Sequence, residues 1–189
     1  MLKDILTENP GVALQYLKVS EGGVYLKPTL VQTVLGSCLG AAFHLPGKGI
    51  GAFFHAFLPR RDDYGYQDKG PVYKFVDTAI EHVIGEFMRM GVNPRALRVT
   101  LLGGSNGLVD ERGGVGLKNV EAAYEALSRH RMTPYQVDTG GGKGRRVFFL
   151  TSTGEVEVGL LSGAGRLGGP VLKPKAAALW AAARASTGR

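Results

Sequence analysis

A single cysteine, Cys38, and four histidines, His44, His55, His82 and His130, carry most of the nucleophilic and proton-transfer chemistry this 189-residue chain can offer. One thiol excludes an internal disulfide framework and any zinc site built on several cysteines. It suits the attacking group of a Cys–His pair, in which the thiolate is the nucleophile and a neighbouring imidazolium lowers the thiol pKa. An inert core thiol is the commoner fate of a lone cysteine among apolar neighbours. A histidine inside Phe53-Phe54-His55-Ala56-Phe57 is likewise usually structural.

Spacing sorts the histidines. His82 falls on the polar face of a helix, and His130 ends a second helix between Arg129 and Arg131, where positive charge suits the helix dipole. His44 and His55 lie on two strand-like runs, Leu39–Leu45 and Ile50–Phe57, either side of the turn Pro46-Gly47-Lys48-Gly49. If those runs form a hairpin about that turn, Cys38 comes opposite Phe57. His55 is then on the same face and diagonal to the thiol, at about 7–8 Å. His44 shares the face but is six strand steps away, roughly 20 Å. A slip of one residue would send His55 to the other face. The small residues Gly36, Ser37 and Gly40 leave room for a substrate beside Cys38 and offer backbone N–H groups to an oxyanion.

The elements that must position this pair are many strands and two helices. Strands are expected over Leu14–Val19 and Val24–Lys27, joined through Glu21-Gly22-Gly23, and over Thr29–Leu35. Others follow at Leu97–Leu102, Tyr135–Asp138, Arg145–Thr151 and Glu155–Leu161. A helix from about Pro71 to Met90 carries a stripe of Val72, Phe75, Val76, Ala79, Ile80, Val83, Phe87 and Met88. A second, about Leu117 to His130, carries Leu117, Val120, Ala123, Tyr124 and Leu127. Helices with one apolar face each, set against many strands, predict an α/β (α+β) fold in which both helices cover one side of a mostly antiparallel sheet system.

Residues 1–12 read as a leader, 13–161 as the domain, and 162–189 as a basic Gly/Ala-rich extension. The net charge is +7, but Arg166, Lys173, Lys175, Arg184 and Arg189 stand in that extension with no acidic residue beside them. The body is therefore only weakly basic, which argues against a dedicated nucleic-acid binder. Without a signal-like stretch or an apolar run of about 18 residues, the expected setting is cytoplasmic.

The chain resembles the chemoreceptor glutamine deamidase family, CheD. The likeness lies in Leu35-Gly36-Ser37-Cys38, in Gly51-Ala52-Phe53-Phe54-His55-Ala56-Phe57-Leu58-Pro59 and in Lys74–Ala79. It continues through Leu102-Gly103-Gly104-Ser105, Val115–Glu121, Asp138-Thr139-Gly140-Gly141 and Arg145-Arg146-Val147. The resemblance implies a layered α/β/β sandwich akin to that of bacterial toxin deamidases, and a chemotaxis enzyme that hydrolyses receptor glutamine amides to glutamate and ammonia, with Cys38 as nucleophile and His55 as general base. It implies no metal or organic cofactor, and chemoreceptor cytoplasmic domains as partners. It also implies an orienting threonine six positions before the cysteine, where this chain has Gln32; Thr33, one residue later, would face the other way unless the strand bulges. Gln32 can itself accept an imidazole N–H, and Gly36, Ser37, Gly103, Gly104 and Ser105 are the candidate substrate-binding positions. A second departure is Asn106-Gly107 after Ser105, where the family usually has a methionine. Two other readings remain open: a binding module for receptors or a CheC-type phosphatase, and a cysteine hydrolase of receptor methyl esters.

Overall fold

In the computed structural model, residues 2–65, 70–106 and 114–161 are described. Residues 66–69 and 107–113 and the basic extension lie outside the described residues. Among the described residues nine strands form two sheets. The first has the order β1-β3-β8-β9, built from β1 (Ala13–Tyr16), β3 (Thr29–Leu35), β8 (Arg145–Leu150) and β9 (Glu155–Leu160). The second has the order β2-β5-β4-β6-β7, from β2 (Gly22–Tyr25), β5 (Ile50–Ala56), β4 (Leu39–Leu45), β6 (Arg98–Gly103) and β7 (Gln136–Thr139). Only β1–β3 and β6–β7 pair in parallel; the other pairings are antiparallel.

Alternation along the strands makes three apolar layers. Val31, Leu35, Val147 and Phe149 of the first sheet meet Ala42, Phe53 and Leu102 of the second. The other face of the second sheet, through Ala41, Phe43, Phe54 and Leu101, packs on the helices α2 (Val76–Arg89) and α3 (Val115–Arg129). Leu30, Phe148 and Leu150, on the outer face of the first sheet, carry Ile5 and Leu6 of α1 (Leu2–Glu8). The layered sandwich is therefore as expected, with α2 and α3 on one side, and the stretch read as a leader adds a helix on the other. A buried Arg145–Asp138 pair joins β8 to β7, with Nε and Nη2 at 3.0 and 2.9 Å from Oδ1, and so ties the two sheets together. Among the described residues no helix is long and apolar enough to cross a membrane.

Three local expectations are corrected. β1 and β2 do not pair with each other: β1 adds to β3 and β2 to β5, so the turn between them passes from one sheet to the other. The first long helix begins at Val76 rather than near Pro71. Lys74 closes a turn on Pro71, and Phe75 is held extended in a bridge to Leu58, which overrides the local helical pattern. On α3 the buried face is Gly116, Asn119, Ala122, Ala123, Ala126 and Leu127, whereas Leu117 and Tyr124 are exposed. The large apolar residues had suggested a stripe turned partly away from the true one.

Candidate active site

The β4–β5 register is the one that the turn predicts, with Leu39 opposite Ala56 and Gly40 opposite His55. His55 therefore shares the inter-sheet face with Phe53, and Cys38, one residue before β4, packs into that same layer. Both sit where the chain crosses between sheets: β3 ends at Leu35, the turn Gly36-Ser37-Cys38 follows, and β4 starts in the other sheet.

Four hydrogen bonds hold His55, the fourth of them through Thr33. Its backbone is gripped from outside the hairpin, Ser20 N–H donating to His55 O and His55 N–H to Glu21 O, both at 2.8 Å. Ser20 adopts a left-handed φ of 64°, which turns the chain sharply enough to present both groups. On the ring, Nδ1 is 2.9 Å from Thr33 Oγ1, and that hydroxyl donates to Leu17 O, also at 2.9 Å. A hydroxyl has one proton, so with it committed to Leu17 the oxygen must accept from Nδ1–H. The tautomer is thereby set, and Nε2 keeps its lone pair. That nitrogen is buried and has no hydrogen-bond partner.

The orienting hydroxyl is thus that of Thr33, not the amide of Gln32. The β3–β8 register runs unbroken with Gln32 opposite Phe148 and Thr33 opposite Val147, so no bulge is involved. Phe148 belongs to the layer under α1 and Val147 to the layer between the sheets. Partners across a ladder share a face, which turns Gln32 outward and Thr33 toward His55. Gln32 and Thr33 do alternate as strand residues must, but it is Thr33 that faces inward.

Around Cys38 the backbone is held from behind. Ser105 N–H donates to Gly36 O at 2.9 Å, Asn119 Nδ2 to Ser37 O at 2.9 Å, and Gly104 N–H to Cys38 O at 2.8 Å. No other described residue accepts from the N–H groups of Ser37 and Cys38. Peptide C=O and N–H point in opposite directions across a trans bond, so carbonyls anchored inward leave these two N–H groups facing away from the anchors. Gly36 borders open space, while Gly103, at φ 96°, approaches the Cys38 carbonyl too closely for any side chain. Gly104 and Ser105 accordingly meet the site differently from what was expected. Their N–H groups are spent on the turn and are not available to a substrate.

The electrostatics correct a further expectation. Burial raises the Cys38 thiol above its ordinary 9.0, opposed by its own backbone N–H. Burial also pushes His55 down from 6.5 to about 4, against the Leu17 carbonyl and Glu21, which both favour charge. At neutral pH the resting pair is therefore neutral thiol and neutral imidazole, not the thiolate–imidazolium pair expected from proximity alone. Burial is the largest influence on each, because removal from water disfavours the charged form of both groups. Of the other histidines, His130 lies 2.6 Å from Glu81 and His82 3.7 Å from Glu86, on the helix surface. Among the described residues no group of three or more His, Cys, Asp and Glu side chains converges as metal ligands.

Residues 57–159 match the family model described as CheD chemotactic sensory transduction. The chain is 39% identical over 152 residues to "Probable chemoreceptor glutamine deamidase CheD 2" of Geobacter sulfurreducens, covering 78% of this chain and 90% of that one. It is 36% identical over 149 residues to the "Probable chemoreceptor glutamine deamidase CheD" of Maridesulfovibrio salexigens, covering 75% and 88%. The protein of that name from Nitratidesulfovibrio vulgaris is 38% identical over 153 residues, covering 77% and 76%. The family-model match begins after His55.

Proposed function

This chain belongs to the CheD family, and from that premise we propose that it hydrolyses glutamine side chains of chemoreceptor cytoplasmic domains to glutamate, releasing ammonia through a thioester on Cys38. The observation that carries the mechanism is the lone pair on His55 Nε2, buried, unpartnered and fixed by Thr33 on the face that Cys38 shares.

The steps follow from the neutral resting pair. As Cys38 Sγ attacks the carboxamide carbon, its proton passes to Nε2 and the C–S bond forms. Negative charge moves to the amide oxygen, to which the N–H groups of the Gly36–Cys38 turn donate. Imidazolium is tolerable at that moment because Nδ1–H points to the Thr33 hydroxyl, itself anchored on the Leu17 carbonyl. Collapse of the intermediate breaks the C–N bond, with His55 returning the proton to the departing nitrogen. The freed base then activates water, hydroxide adds to the thioester, and glutamate leaves as the thiol is restored. Receptor domains are the partners and the cytoplasm is the setting this chemistry requires.

Intact-mass analysis of a glutamine-bearing receptor fragment tests the reaction. Incubation with the enzyme should add about one mass unit per site and release ammonia, with nothing from Cys38→Ala. A loss of mass with methanol release would identify an esterase instead. An unchanged fragment under conditions where it binds would leave a docking protein.

A further inference from the structure

Asn119 is the one fully buried side-chain amide in the described core, 0% exposed on the inner face of α3. Its Nδ2 donates to two carbonyls from different segments: Ser37 O at 2.9 Å and Phe57 O at 3.2 Å. The first belongs to the peptide joining Ser37 to the cysteine. The second lies two residues beyond His55. One side chain thus spans the strand ends that deliver the thiol and the imidazole.

Its place is built with care. Gly116, one turn earlier on α3, packs so closely on the carbonyls of Gly104 and Ser105 that a methyl group would collide with both. Gly104 in turn admits no side chain against Val120 and Gly116. These mutual approaches seat α3 on the loop whose own N–H groups hold Gly36 and Cys38. The amide oxygen of Asn119 is buried with no partner. Leaving a buried acceptor unsatisfied is destabilising. A residue chosen only for packing would not carry that cost, since alanine occupies the neighbouring buried positions 122, 123 and 126.

We propose that Asn119 is a positioning residue: by holding Ser37 O it sets the Ser37–Cys38 peptide so that the Cys38 N–H faces the oxyanion, and by holding Phe57 O it keeps β5 in register with that peptide. The inference rests on the proposed thioester reaction. A trans peptide is a rigid plane, so restraining its carbonyl restrains its N–H. Released, the plane can rotate, and an oxyanion donor that is off line loses most of its worth.

The test compares Asn119→Ala with Leu127→Ala, a cavity on the same buried face of α3 that touches none of these groups. With a receptor fragment as substrate, and at a temperature where both are folded, Asn119→Ala should lose about a hundredfold in kcat with KM little changed. The pH midpoint for iodoacetamide alkylation of its Cys38 should move upward, because the backbone N–H that favours the thiolate is no longer held. Leu127→Ala should lose as much or more in melting temperature and keep kcat within about twofold. Asn119→Leu keeps the volume and has no donor; it should reproduce the kcat loss should the alanine variant not fold. Full turnover in either Asn119 variant, with Cys38→Ala inactive, would overturn the role of Asn119 alone. An equal kcat loss in Leu127→Ala would reduce it to general stability. Activity in Cys38→Ala would instead remove the thioester reading and this inference with it.

Discussion

The β4–β5 hairpin carries a buried histidine near each end, and the two are alike in most respects. His55 is 3% and His44 7% exposed, each has an Nε2 without a hydrogen-bond partner, and burial lowers the pKa of both. They differ in what surrounds them. His44 packs on Gly154, so tightly that a side chain there would run into the ring; the Ser152 backbone favours its charged form, as Leu17 does for His55, but Arg98 adds a positive charge that disfavours it. His55 has a hydroxyl on Nδ1, Leu17 O and Glu21 to favour the ion when it forms, and a thiol in the same layer. Burial alone therefore does not make a base. In the proposed reaction the base is made by a fixed tautomer and a neighbour with a proton to give.

That comparison can be broken by substitution. Loss of the sulfur is the largest expected effect: Cys38→Ala should lower kcat by more than about a thousandfold while the melting temperature changes little. His55→Gln should approach that loss, whereas His44→Gln should retain turnover; a similar fall in both would mean that the hairpin, not the base, had been damaged. Next is Thr33→Val, which keeps the shape but frees the ring. A loss of about ten- to a hundredfold in kcat is expected, with Thr33→Ser restoring most of it. Gln32→Ala, on the outer face, should stay within about twofold, and a larger loss would reinstate it as the orienting residue.

The smallest effect sharpens the likeness instead. A histidine whose folded pKa lies below its unfolded value stabilises the fold above the unfolded value, and that contribution is lost as pH falls toward the folded one. For His55 the window runs from 6.5 down to about 4, because there the unfolded chain binds the extra proton. His44 is shifted in the same direction. Melting temperature against pH should thus flatten across the acid range in both His44→Gln and His55→Gln. A flattening in His55→Gln only would show the two sites to be electrostatically different after all.

The site was legible to the extent that it depends on local pattern. Pro46–Gly49 marks a turn, alternating apolar residues mark its strands, and together they set the register that brings His55 to the face of Cys38. The face of Thr33 was not legible, because alternation says only that Gln32 and Thr33 point oppositely. Which one points inward is decided by the pairing of β3 with β8, more than a hundred residues along the chain. Asn119 was hidden for a related reason. Large apolar residues outweigh small ones in any search for a stripe, yet on α3 it is Gly116, Ala122, Ala123 and Ala126 that allow close approach to the sheet. A run of small residues at helical spacing with one polar residue inside it was the available signal. The neutral resting state was beyond the sequence altogether, since it reflects the depth at which both groups are buried.

The most direct test of the Cys38–His55 assignment is to quench the reaction with acid and map the protein by peptide mass. The account predicts a receptor glutamyl group in thioester linkage to Cys38, formed during turnover and absent when substrate is withheld. Ammonia released at the normal rate with no adduct on Cys38, or with the receptor attached to any other residue, would contradict it.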